Sequence, residues 1–156
     1  MSIVEIPVLP HVKCLLIGIY GSEPLFANEK NLLGKEIDHF TNEPEPPAPV
    51  IRCEKIKISI SLRLKPRYNH TEALFSFGHY FEKVFHKLLH QHIIAQLRCK
   101  RSVKEAIRDF YALYDITENL YPIASAERSY YRFLEENKYT ISVPRFPRGR
   151  QKKANA

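Results

Sequence analysis

KIKISISLRLK, residues 55–65, is the stretch whose reading decides the fold. Ile56, Ile58, Ile60, Leu62 and Leu64 alternate with Lys57, Ser59, Ser61 and Arg63. Period two marks a strand with one packed face and one solvated face, here basic. Pro66 closes it, and beyond Pro66 the period changes. Leu74, Phe77, Phe81, Val84, Phe85 and Leu88 recur at spacings of three and four, the stripe of an amphipathic helix. Asn69 can cap that helix with Glu72 at its third position, and the pattern carries it from residue 70 to about Leu97. The stripe then drifts to Ile93 and Leu97, which predicts a bend near His90 or a change of packing partner. Strand followed by long helix predicts an α+β fold, the helix packed across a small N-terminal sheet that contains residues 55–64. A single strand cannot leave its backbone unpaired. Its partner must come from residues 1–20 or from a second copy of the chain.

Upstream, residues 1–10 are apolar and carry Pro7 and Pro10, which suits an extended segment. VKCLLIGIY, residues 12–20, reads as a buried strand or as a short helix after Pro10; periodicity does not separate the two. Gly21 and Pro24 punctuate it. Asn31 to Phe40 reads as a further short helix, with Leu32, Leu33, Ile37 and Phe40 along one side. TNEPEPPAP, residues 41–49, holds four prolines in nine residues and is a stiff, extended linker.

Downstream, SVKEAIRDFYALYDITENLYPIASAERSYYRFL, residues 102–134, reads as two or three short helices. Ser102 and Glu105 have the spacing of a capping box. Ala106, Phe110 and Leu113 fall on one face, with Ile107 and Tyr114 beside it. Thr117 is placed to cap a new helix. A last segment, Ile123 to Asn137, carries Arg128 and Arg132 one turn apart. Short helices packed at steep angles are how a helix-turn-helix presents one basic helix to a groove. The chain thus divides into an α+β domain over residues 1–100, a helix-turn-helix-like region over 101–138 and a basic tail over 139–156.

Charge is polarised along the chain. Residues 1–50 carry −4 and residues 51–156 carry +11, of which +5 comes from Arg145, Arg148, Arg150, Lys152 and Lys153. Such asymmetry favours a polyanionic partner; a solubilising tail is the plainer reading. No run approaches the roughly 18 apolar residues of a membrane span, and no secretory signal pattern is present, so a cytoplasmic protein is expected. The three cysteines, Cys14, Cys53 and Cys99, form no CxxC pair; Cys14 and Cys53 read as buried thiols.

Five of the seven histidines lie between His70 and His92. His79, His86 and His90 fall opposite Phe81. The four-residue spacing of His86 and His90 can chelate a metal, but a solvated polar face is the better reading, and no metal is assigned. Nucleophile elbows, phosphate loops and dinucleotide glycine patterns are absent, and no catalytic residue or cofactor is assigned. The chain reads as a binding module and not an enzyme. Tyr130 and Phe133 should face inward, with Arg128, Tyr131 and Arg132 outward. Those three, with Lys138, Arg145, Arg148, Arg150, Lys152 and Lys153, are the expected nucleic-acid contacts. The tail from Pro144 has little reason to fold alone and can follow a phosphate backbone.

The layout resembles a family of uncharacterised small proteins carried by Bacteroidetes phages and mobile elements. The matching features are the segment ending in Tyr20-Gly21, the run Asn31 to Lys35, the Ile56–Leu64 alternation, and Ser102 to Phe110 leading to Tyr114 through Glu118. The ending is also similar to the helix-turn-helix ends of small phage transcription activators, although Tyr121-Pro122 interrupts a compact turn. The resemblance implies a DNA-linked role in a mobile element and supplies no catalytic residues. A DNA-binding protein, regulatory in character and homodimeric through the long helix stripe, is the expected function. The alternative is a structural or protein-interaction component with a nucleic-acid-contacting tail.

Overall fold

The computed structural model describes residues 2–40, 54–64 and 71–137, with residues 2, 39–40 and 71–76 as backbone only. The linker at 41–49, Cys53, the Asn69 cap, the Leu74 side chain and all basic residues from Lys138 onward lie outside the described residues or atoms. The elements are β1 (Ser2–Val8), α1 (Pro10–Tyr20), β2 (Leu25–Ala27), α2 (Leu32–Phe40), β3 (Glu54–Ile60), α3 (Thr71–Arg98), α4 (Val103–Leu113) and α5 (Ile123–Glu136). The fold is α+β, as the change of period at Pro66 predicts.

β3 is the middle strand of a mixed sheet ordered β1-β3-β2. It runs antiparallel to β1, with Ile6 opposite Ile56 and Val4 opposite Ile58, and parallel to β2, with Leu25 opposite Ile58. The first expected source of a partner, residues 1–20, is therefore the right one. Residues that face one another across strands share a face. Ile6, Ile56, Ile58, Leu25 and Ala27 are buried on the inner side, while Lys55, Lys57, Ile3 and Phe26 are exposed on the outer side. The strand stops short of the expected end. Ser61 N–H donates to the Ala27 carbonyl (3.0 Å), and the chain then turns. Leu62 is thrown out, 63% exposed, while Leu64 is buried.

Residues 12–20 are helical. Pro10 stands in the first turn, where its missing N–H costs nothing, and His11, Val12, Leu15 and Leu16 are buried. α2 buries Leu33 and Ile37 but leaves Leu32 exposed, against expectation. The Asn31 side chain accepts from Gly34 N–H (2.9 Å) and caps this helix.

α3 carries Phe77, Phe81, Phe85, Leu89, Ile93 and Leu97, all buried. Each step of four residues rotates the face by about 40°. The stripe therefore winds around the helix and serves two partners in turn. Its first half lies against β1, close enough that a Cβ on Gly78 would stand 2.2 Å from the Pro7 carbonyl oxygen. Its second half meets α4 and α5. Phe85 packs edge-on to Phe110, and His92 Nε2 lies 3.2 Å from Asp109 Oδ2. Of the stripe that suggested a dimer surface, Phe77, Phe81 and Phe85 are buried within the chain, and Val84 and Leu88 are half-buried.

The capping box of α4 forms in both directions: Glu105 N–H donates to Ser102 Oγ, and Ser102 N–H donates to the Glu105 carboxylate (2.8 Å). Leu113 is not on the packed face; it is 62% exposed, and Tyr111 is buried beside Phe110. The cause is the helix end. Asp115 turns left-handed (φ 52°), Ile116 N–H bonds back to the Tyr111 carbonyl, and buried Ile116 seals the end instead. Thr117 starts no helix. Its carbonyl accepts from Leu120 and Tyr121 in a single turn, and Pro122, without an N–H, stops it. Two helices therefore form the C-terminal region, joined through residues 114–122. That connection is longer than the three or four residues of a helix-turn-helix.

Candidate anion-binding groove between α3 and α5

α5 begins after Pro122 without a side-chain cap and buries Ile123, Ala126 and Tyr130. Burying Tyr130 fixes the rotation of the helix. Ser129 is then turned toward α3, and Arg128 and Arg132 stand exposed at the edge. Between the two helices runs an open groove of about 450 Å³. His86 and His90 line one wall, Arg128, Ser129 and Arg132 the other, and Tyr121 closes one end.

Ser129 Oγ lies 3.0 Å from His86 Nδ1 and 3.0 Å from His90 Nε2. A hydroxyl has one hydrogen and can also accept, so it can donate to one ring and accept from the other. His90 further stacks on Phe133, ring centroids 4.6 Å apart. Burial, with the neighbouring His86 second, takes the His90 imidazole down to about 4. Burial also lowers His86, with Glu82 opposing. His11 on α1, wedged between Phe85 and Tyr121, is likewise taken to about 4 by burial and by His86. The rings are neutral near neutral pH.

These positions correct the solvated-face reading of the histidines. His79 is itself half-buried, 3.6 Å from Glu82, His86 is half-buried beneath α5, and His90 is buried. The four-residue spacing was visible in the sequence; Ser129 has no local signature that names it as their partner. Among the described residues no group of three or more metal-ligating side chains gathers.

Arg128 and Arg132 come together on the groove. Arg128 Nε donates to the Ala124 carbonyl (3.2 Å) and Nη2 to Ser125 Oγ (3.5 Å), leaving Nη1 without a partner among the described residues. Arg132 forms no hydrogen bond or ion pair among the described residues. Tyr131 is 42% exposed as expected but lies outside the groove. A second basic surface escaped the sequence reading. Arg98, Lys100, Arg101, Lys104 and Arg108 are all exposed around the α3–α4 turn, and counting Lys and Arg over those residues would have found it. Cys14 is half-buried, its thiol pushed up chiefly by burial, and Cys99 is exposed. Among the described residues no helix is long and apolar enough to cross a membrane.

No protein-family model, curated protein or solved structure matches the chain.

Proposed function

We propose that this chain is a nucleic-acid-binding module that engages the phosphate backbone of duplex DNA with α5 and the adjoining edge of α3. The observation that supports this reading is the pairing of Arg128 and Arg132, exposed one turn apart on one wall of an open groove. On the facing helix, exposed Lys83 and Lys87 stand one turn before His86 and His90. Guanidinium groups match phosphate geometry and hold their charge at every physiological pH. The basic α3–α4 turn extends the same charge, and Lys138, Arg145, Arg148, Arg150, Lys152 and Lys153 add backbone contacts by sequence. The setting is a regulator in a phage or mobile element, as the resemblance implies. A two-fold pair of chains would present two such surfaces to half-sites, meeting elsewhere than the buried α3 stripe; light scattering at micromolar concentration checks the mass.

The test is an electrophoretic shift series over salt with duplex DNA, single-stranded DNA and RNA. Arg128→Ala with Arg132→Ala should reduce the salt slope by about two, one per lost phosphate contact. Removing residues 144–156 should weaken binding to all sequences alike. Parental binding by both variants on every probe would sink the reading.

A further inference from the structure

We propose that the groove between α3 and α5 is a seat for a single phosphate group. The proposal rests on the nucleic-acid reading for the source of that phosphate, but the chemistry of the seat stands on the geometry of the groove.

Its polar groups converge without being used up. The Arg132 guanidinium and the Tyr121 hydroxyl have no hydrogen-bond partner among the described residues, and both line the groove. Ser129 engages one nitrogen on each imidazole, which leaves His86 Nε2 and His90 Nδ1. When the serine hydroxyl donates to one ring and accepts from the other, only one of those remaining nitrogens carries a hydrogen. Uptake of one proton by the pair makes both of them donors and keeps the serine bridge intact. The pair is thus built to gain a charge and a donor together when an oxyanion arrives.

Charge decides the class of ligand. Arg128 and Arg132 are opposed on the groove lining by Glu136 alone. With one proton on the histidine pair the lining carries two net positive charges, enough to hold the single charge of a phosphodiester and to balance the double charge of a terminal phosphate or sulfate. Other groups bear on that proton. Glu82 favours it on His86, a charged His86 opposes a second proton on His11 or His90, and burial disfavours it on both rings. The free groove therefore stays neutral at its histidines, and the ligand draws the proton in. A volume of about 450 Å³ leaves room for whatever the phosphate is attached to.

Sulfate is the probe, because its double charge does not change where imidazoles titrate. Histidine-selective ¹⁵N NMR on the full chain should show sulfate moving the His86 and His90 signals. Affinity should rise about tenfold for each pH unit lost, as uptake of one proton requires. Arg132→Gln, at an exposed position, should weaken sulfate at least about tenfold while leaving the far-ultraviolet dichroism unchanged; Arg128→Gln provides a second variant. Unmoved histidine signals, a pH-independent affinity, or equal binding by both variants would overturn the seat. Competition then identifies the source. Displacement of sulfate only by a terminally phosphorylated oligonucleotide assigns a chain end, and displacement by the unphosphorylated form as well assigns the internal backbone. Sulfate that binds but yields to neither upholds the seat and removes the nucleic-acid reading from this surface. Duplex that binds without disturbing the histidines, where sulfate also fails, does the reverse.

Discussion

α4 docks on α3 through Ala106, Ile107, Phe110 and Tyr111, all buried, whereas α5 docks through Ala126, Tyr130 and a polar seam in which Ser129 meets two histidines. The two helices also start differently. α4 has a reciprocal capping box, and α5 has a proline and no side-chain cap. One helix is specified locally and packed dry at its centre, with the partly exposed His92–Asp109 pair at its edge. The other depends on tertiary contacts that include groups able to titrate. Apolar packing tolerates changes of pH; a seam of neutral imidazoles does not. The contrast separates the part of the molecule that holds the fold from the part able to respond to a ligand.

The largest break in that comparison comes from the dry side. Phe110→Ala should cost about 3–5 kcal/mol in urea unfolding, because it empties the contact between α4 and Phe85. Ser129→Ala on the polar side should cost less, about 1–2 kcal/mol, since groove water can replace part of what the hydroxyl supplies. The pH response sharpens the contrast. His11 and His90 bind protons only near 4 in the folded chain, against an ordinary value of 6.5, and His86 is lowered too. Unfolded chain therefore holds more protons between those limits. The histidines' contribution to stability is complete above the ordinary imidazole value, declines as pH falls below it, and levels off beneath about 4. Urea midpoints across this range should fall with pH in the parent and fall less in His90→Asn. Ser102→Ala removes a cap and should cost about 1 kcal/mol at pH above the carboxylate range, read from the same midpoints. The smallest effect is a gain. Asp115→Gly relieves a left-handed residue at the end of α4 and should add about 0.5 kcal/mol, measurable as a small rise in the thermal midpoint.

What the sequence revealed followed how local each signal is. The alternation of Ile56, Ile58 and Ile60, the α3 stripe and the Ser102–Glu105 box are patterns within a few residues of one another, and each is present in the fold. β2 escaped because Leu25-Phe26-Ala27 is too short to show a period. Leu62 misled because alternation in sequence continued where the backbone ran out of a partner strand. Leu113 misled because Ile116, folding back from a left-handed turn, took its place. Within the groove, the outward Arg128 and Arg132 were legible from helical spacing. The role of His86 and His90 was not, because the winding stripe rotates them under a helix that begins at Ile123. No spacing rule connects a histidine to a serine so far along the chain.

The position of β3 has a consequence for synthesis. Ser2 pairs with Ile60, and Leu25 pairs with Ile58, so the two outer strands have no common neighbour until the middle one is made. A ribosome releasing this chain exposes β1 and β2 first, each with its hydrogen-bonding edge unmet. The whole sheet must then assemble in one event around the strand that comes last. Such non-local pairing is slow, and unpaired edges invite other chains. α4, closed by its own side chains, carries no such dependence. A nascent chain stalled before Glu54 should therefore be the form most in need of a chaperone, whatever the finished protein binds.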